Sequence, residues 1–200
     1  MTTNSTTVGT STLAAQHHCR DGSVVFHKTR EAFGGLSNMA AGFPLCIGEV
    51  KIRTSEALYQ ACRFPCLPHV QALILAEKSP MAAKMVSKPH RAATRNDWDD
   101  VRVEIMRWCL EVKLVQHKDC FGALLLSTGD RPIVEQSHKD RFWGAVLSKD
   151  GDWLEGANVL GRQLTDLRER LRSHPDAFSR VEPPNVGGML LLGRPIETVF

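Results

Sequence analysis

The chain has 200 residues, 42% of them hydrophobic and 24% charged, which suits one domain with ample material for a core. A formal net charge of +3 is too mild to signal a nucleic-acid carrier by itself, yet it repels no polyanion. No run approaches the roughly 20 apolar residues that a membrane span needs, and Met1-Thr2-Thr3-Asn4-Ser5 has neither the basic nor the apolar region of a secretory signal. These features lead us to expect a cytoplasmic protein without a membrane partner, its six cysteines reduced.

Residues 1–22 are rich in Ser and Thr, lack periodicity and are expected to form a flexible tail. Val24-Val25-Phe26 reads as a short strand, and Gly34-Gly35 breaks regular structure after it. Phe43 to Leu45 and Val50 to Ile52 read as strands about a turn at Gly48. Thr54 or Ser55 caps a helix to about Phe64, which Pro65 and Pro68 end. A second helix spans about His69 to Glu77. Ser79-Pro80, a cap followed by a first-turn proline, opens a third that carries Lys84. Pro89 to Arg95 is a basic connection. From Asn96 or Asp97 a long helix places Val101, Ile105, Trp108, Cys109 and Val112 on one face. Another helix covers about Asp119 to Ser127. Ile133-Val134-Glu135 and Phe142 to Leu147 read as strands, with a turn at Asp150-Gly151. The last helix runs from about Val159 to Arg172, with Leu160, Leu164, Leu167 and Leu171 inward. Residues 174–200 form an extension expected to dock through Met189 to Leu192. The fold class is α+β: a helix-rich single domain, residues 23–173, around a small sheet of short strands.

Four clusters place polar residues where a plain fold has no need of them. Gly34-Gly35-Leu36-Ser37-Asn38 allows close backbone approach to a ligand, or is simply a turn with Asn38 bonded to its own backbone. In the helix after Thr54, Glu56, Tyr59, Gln60 and Arg63 share a face. That face is either solvated, with Glu56 favoured by the helix dipole, or a site-facing stripe with Glu56 as acid or base. Lys84, followed by Lys88, His90, Arg91 and Arg95, is either a solvated basic face or a nucleophile with cationic neighbours and groups suited to phosphates. The fourth cluster runs from Glu135 to Arg162, and in it Asp140-Arg141-Phe142-Trp143-Gly144 joins an acid to an aromatic able to stack. Asn158-Val159-Leu160-Gly161-Arg162 is an ordinary cap or a helix N-terminus able to hold an anion. Cys62, Cys66 and His69 lack a second ligand pair for zinc, and no P-loop, Gly-x-Gly-x-x-Gly, Gly-x-Ser-x-Gly or His-Glu-x-x-His motif occurs. No metal or cofactor is called for.

Taken in order, six segments resemble the NADAR (YbiA-like) family. They are Leu36-Ser37-Asn38, Thr54 to Ala61, Ser79 to Lys84, Arg95-Asn96-Asp97-Trp98, Asp140 to Gly144, and Asn158 to Arg162. Each is weak alone, but the ordered set spans about residues 24–172. The resemblance implies a metal-independent glycohydrolase that cuts an N-glycosidic bond to ribose. One branch removes ADP-ribose from the amino group of guanine in nucleic acid, and some of its members are antitoxins of DarT-type ADP-ribosyltransferase toxins. The other acts on phosphorylated intermediates of riboflavin synthesis. The chain is more similar to the antitoxin branch at Phe26 to Glu31, Gln60 to Pro65 and Met106 to Leu110. ADP-ribosylated DNA, ADP-ribose and a DarT-type toxin are therefore the implied partners. A non-catalytic reader of ADP-ribose is a further alternative. The resemblance implies Lys84, Glu56 and Asp140 as catalytic residues. It implies Asn38, Tyr59, Arg63, Lys88, Arg95, Trp98, Trp143, Gly144, Asn158, Gly161 and Arg162 as substrate-binding ones. One departure is Ser87-Lys88, where many relatives carry Gly-Arg, so the guanidinium fork is lost there.

Overall fold

The computed structural model describes residues 14–200. The chain enters as β1 (Gln16–Cys19), turns through Ser23, whose hydroxyl donates to the Cys19 carbonyl at 2.7 Å, and returns as β2 (Val24–Phe26). Strand β1 lies inside the segment expected to be a tail. The expectation for residues 1–13 lies outside the described residues. A hairpin comes next, β3 (Leu45–Ile47) and β4 (Val50–Ile52), with Gly48 at φ 56° in its turn. Its first strand starts at Leu45, two residues later than the pattern suggests.

Thr54 then caps α1 (Ser55–Cys62), its hydroxyl accepting from the Ala57 amide at 3.3 Å. Every residue of α1 is buried, polar ones included, because the helix runs between α2 (Pro68–Ala76), α3 (Pro80–Ser87) and α4 (Trp98–Gln116). Pro68 starts α2 from its first turn, where a missing amide costs nothing. Ser79 caps α3, accepting from the Ala82 amide at 3.1 Å. The helix expected over Asp119 to Ser127 is split. A π-helical turn over Lys118–Gly122 leads into the short α5 (Ala123–Leu126).

Strands β5 (Ile133–Ser137), β6 (Ala145–Leu147) and β7 (Trp153–Gly156) complete the main sheet, in the order β1-β7-β6-β5-β2. Strand β5 is parallel to both β2 and β6, and β7 is antiparallel to β6 and β1. The strand expected over Phe142 to Leu147 begins at Ala145. Residues 142–144 are instead a loop whose carbonyls accept from the start of the last helix. That helix, α6 (Val159–Ser173), buries Leu160, Leu164, Leu167 and Leu171 in the same core as α1 and α4. Residues 174–200 add Phe178, Val181, Met189, Leu191, Ile196 and Val199 to that core, with a small hairpin of β8 (Leu190–Leu191) and β9 (Arg194–Pro195). The whole is a mixed α+β domain. No helix among the described residues is long and apolar enough to cross a membrane.

Two local devices set the positions that matter for the site. Lys113 on α4 is fully buried, and its ammonium donates to the carbonyls of Gly35 at 2.6 Å and Ser37 at 3.2 Å. It also lies 4.3 Å from the ring centroids of both Phe43 and Phe121. Burial draws its pKa down to about 7. This contact pins the loop that ends at Asn38. At the other end of the domain, Asn158 adopts the left-handed conformation with φ 48° and is buried. Its side chain accepts from the Glu135 amide at 3.1 Å and donates to the Ile133 carbonyl at 2.8 Å, so α6 is stitched to β5.

Gly161 is required by the same seam, because a Cβ there would collide with the Ile133 carbonyl oxygen. Gly161→Ala should therefore cost about 1–3 kcal/mol, the usual range for overpacking. Chemical denaturation of the variant beside the parent measures the loss. Equal midpoints would show that the seam yields.

Candidate active site

Helices α1, α3 and α4, the loop after β2 and the strand–loop β5–β6 surround one cleft of about 310 Å³. It is lined by Asn38, Glu56, Tyr59, Arg63, Lys84, Trp98, Asp140 and Trp143 of the residues expected from sequence. Elements far apart along the chain thus converge on one cleft. Gln60, Arg102, Glu135 and Phe142 join them there.

The floor is a chain of buried polar groups. Glu56 Oε2 accepts from Asn38 Nδ2 at 2.9 Å, and Oε1 accepts from Gln60 Nε2 at 2.8 Å. Gln60 Oε1 in turn accepts from the Ser87 hydroxyl at 3.0 Å, which ties α1 to the end of the helix bearing Lys84. Burial makes each bond stronger and each missing partner costlier, so the carboxyl group is held in one orientation. Asn38 Oδ1 is buried without a partner among the described residues.

One side wall is aromatic. Tyr59 lies 5.0 Å from Trp98 and 5.7 Å from Trp143 between ring centroids, and Phe142 lies 5.1 Å from Trp143. Burial, with the Glu56 charge, pushes the Tyr59 phenol far above its usual range, so it stays a neutral hydroxyl. Guanidinium groups are laid over this wall. Arg63 Cζ sits 4.6 Å above the Trp98 ring and Arg102 Cζ 4.0 Å above the Phe142 ring. Burial, together with the charges of Arg91 and Arg102, lowers the Arg63 pKa. Arg63 Nε is buried without a partner among the described residues. Arg102 Nε has only the exposed Asp99 carboxyl nearby, at 3.4 Å. Arg91, from the 3₁₀ segment after α3, also reaches the cleft. Such crowding of guanidinium groups in one cleft suits an anionic ligand.

The cleft also carries acids. Asp140 Oδ1 accepts from the amides of Phe142 and Trp143, both at 2.9 Å, so that oxygen holds the loop and Oδ2 remains for other contacts. Glu135, mid-strand on β5, is half-buried. Burial, with the charges of Asp140 and Glu56 nearby, pushes its pKa up to about 7 against the opposing charge of Lys84. A carboxyl group inside an apolar strand was the available signal. The Trp98, Arg102, Met106 spacing of four on α4 was the signal for Arg102.

The remaining expected residues lie elsewhere. At the helix N-terminus by Asn158 the first amides are already engaged within the protein. The amides of Val159 and Leu160 donate to the carbonyls of Phe142 and Trp143, both at 3.0 Å. Asn158, Gly161 and Gly144 are packing residues, and a Cβ at Gly144 would lie 2.5 Å from the Glu135 carbonyl oxygen. Arg162 lines a separate cavity with His18 and Thr165. Lys88 is exposed and does not line the cleft. Arg95 clasps Asp97 at 2.6 and 2.9 Å and the Gly187 carbonyl at 2.5 Å, which anchors the C-terminal extension. Among the described residues no group of His, Cys, Asp and Glu has the arrangement of a metal site.

Glu135 makes stability depend on pH. Its folded pKa of about 7 lies above the ordinary 4.5, so between those values the folded chain holds a proton that the unfolded chain releases. Stability therefore falls as pH rises through that window. Glu135→Gln should abolish the fall and exceed the parent above pH 7, by at most about 3 kcal/mol. Thermal melts at a series of pH values test this. Parallel curves for the two proteins would refute it.

Comparison with known proteins agrees with this architecture. The chain is 33% identical over 156 residues to N-glycosidase YbiA of Escherichia coli, covering 78% of this chain and 92% of that protein. It is 32% identical over 153 residues to an N-glycosidase of Nostoc punctiforme, covering 76% and 94%. A riboflavin biosynthesis protein of Vibrio vulnificus is 34% identical over 76% of this chain, which spans 39% of that longer protein. The NMR structure of Escherichia coli YbiA superposes with a TM-score of 0.65 at 31% identity, covering 79% of this chain and 90% of that one. The NADAR domain matches residues 25–172, and the chain belongs to the NADAR family.

Proposed function

We propose that this protein is an N-glycoside hydrolase that releases ADP-ribose from guanine bases in DNA. The observation that carries the reading is the cleft itself. A lysine, oriented carboxyl groups, a stacking wall and three guanidinium groups share one cavity. These are the groups that cleavage of a ribosyl–nitrogen bond beside a diphosphate needs. The names of the N-glycosidase relatives support the bond type. The base stacks on Trp143 or Trp98, and Arg63, Arg91 and Arg102 take the phosphates.

The chemistry proceeds through Lys84. Protonation of the ribose ring oxygen opens the sugar, and the lone pair of the guanine amine forms a C=N bond at the anomeric carbon. The Lys84 amine adds to that carbon and passes a proton to the guanine amine, which leaves. Water then adds to the lysine imine, the amine is released, and the ribose recloses. The net change is addition of one water across the C–N bond. Glu56, held by Asn38 and Gln60, stabilises the positive charge that develops at the anomeric carbon. Asp140 Oδ2 orients the ribose hydroxyls. The cellular role that fits this activity is that of antitoxin to a DarT-type transferase, in the cytoplasm.

A second substrate is favoured by the Vibrio vulnificus relative, whose name places it in riboflavin biosynthesis. A phosphorylated ribosylaminopyrimidine presents the same bond with a single phosphate, and the same residues serve.

Incubation with an oligonucleotide carrying ADP-ribose on guanine, followed by gel and mass spectrometry, should yield free ADP-ribose and intact DNA. Release from the ribosylaminopyrimidine alone would transfer the assignment to that substrate. Lys84→Ala and Glu56→Gln should each lower turnover by about 10²-fold or more while the fold survives. Near-normal rates would remove that residue from the scheme. Turnover should persist in EDTA, because protein side chains supply each step. Strong inhibition would point to a metal-assisted route.

A further inference from the structure

Two carboxyl groups with opposite surroundings face this cleft, and the difference assigns their tasks. We infer that Glu135 donates the proton that opens the ribose ring and later recovers one from water. The inference rests on the proposed hydrolase activity and names the acid that serves it.

Glu56 is built to accept. Both of its oxygens already receive amide N–H groups, at 2.9 and 2.8 Å, so a proton on either oxygen would point at a donor. Glu135 is built differently. No hydrogen bond or ion pair among the described residues ties its carboxyl group, although it lines the same cleft. Its backbone is fixed on both sides: the amide by Asn158 at 3.1 Å, the carbonyl by the close approach of Gly144. Register places it beside Phe26 of β2, in the interior of the sheet, where the strand cannot swing away.

The charged groups that face it come from several elements. Asp140 lies on the following loop, Glu56 on α1 and Lys84 on α3. The neighbouring strands β2 and β6 carry no ionisable side chain. On α6, Arg162, Asp166, Arg168 and Glu169 line the separate cavity with His18. Burial and the two acids together favour the protonated form near neutrality, which is what a general acid needs.

The step balances. The Glu135 proton goes to the ring oxygen as the C–O bond breaks, leaving a carboxylate beside the iminium carbon. After Lys84 has displaced the guanine amine, water adds to the lysine imine. The Glu135 carboxylate takes the proton of that water and is ready for another turnover.

The test is the pH dependence of kcat and KM for the parent, Glu135→Gln and Glu135→Asp, on whichever of the two substrates the parent cleaves. ADP-ribose binding is measured alongside by calorimetry. Parent turnover should decline as pH rises through about 7. Glu135→Gln should lose about 10²–10⁴-fold in kcat, with KM and ADP-ribose affinity within about threefold of the parent and the decline gone. Glu135→Asp should regain part of the rate and keep a decline. A Glu135→Gln protein with parental kcat and the same decline overturns the inference. So does a loss confined to KM and ADP-ribose affinity, which marks a residue that only shapes the pocket. Should Glu135→Gln fail to fold, Glu135→Asp decides: an unaltered rate and pH profile overturns the inference, and a lower kcat with a displaced decline supports it. A parent that cleaves neither substrate overturns the hydrolase reading, and this inference with it.

Discussion

The organisation of the site depends on one buried carboxyl group. Glu56 sits in the first turn of a helix that is buried on all sides, where an unsatisfied polar atom would cost about 1–3 kcal/mol. Its two oxygens are satisfied by side chains from two directions, the loop at Asn38 and the next turn of its own helix at Gln60. Gln60 passes the constraint to Ser87 and hence to the helix of Lys84. Lys113 passes it the other way, by holding the loop that delivers Asn38. The acid, the lysine and the loop therefore share one hydrogen-bonded frame. Movement of any part leaves a buried group unpaired.

Around that frame the cleft gathers two kinds of charge. Guanidinium groups are spread over aromatic faces, and carboxyl groups line the same cleft. Arg63 and Arg102 are placed by contact with rings, and Arg102 also pairs with the exposed Asp99 at 3.4 Å. Among the acids, burial with the neighbouring charges of Asp140 and Glu56 pushes the pKa of Glu135 up to about 7. A phosphate at one end and an anomeric carbon at the other would meet complementary surroundings.

The relationship to YbiA extends over most of both chains, in sequence and in fold. It identifies the family. A shared fold does not by itself dictate the substrate, which depends on the surroundings of the cleft. Arg91 lines the cleft, while Met81 and Met85 of α3 and Lys88 beyond it are exposed.

Local patterns were sufficient for most elements and for one wall of the site. Thr54, Ser79 and Pro80 mark their helix starts because capping acts within a turn, and the polar stripe Glu56, Tyr59, Gln60 and Arg63 follows from helical spacing alone. Strands β1 and β7 were not legible, since each is short and is defined by its partner across the sheet. The helix start at Asn158 looks like an anion site in sequence. Only the tertiary structure shows its donors taken by the carbonyls of Phe142 and Trp143, and Gly161 spent on the approach of β5. The burial of Glu135 and Lys113 was hidden for the same reason. What sequence determined is what neighbours along the chain determine: caps, periodicity, the family motifs. What tertiary structure decided is the state of buried charges, because desolvation and pairing depend on groups that meet only after the chain has folded.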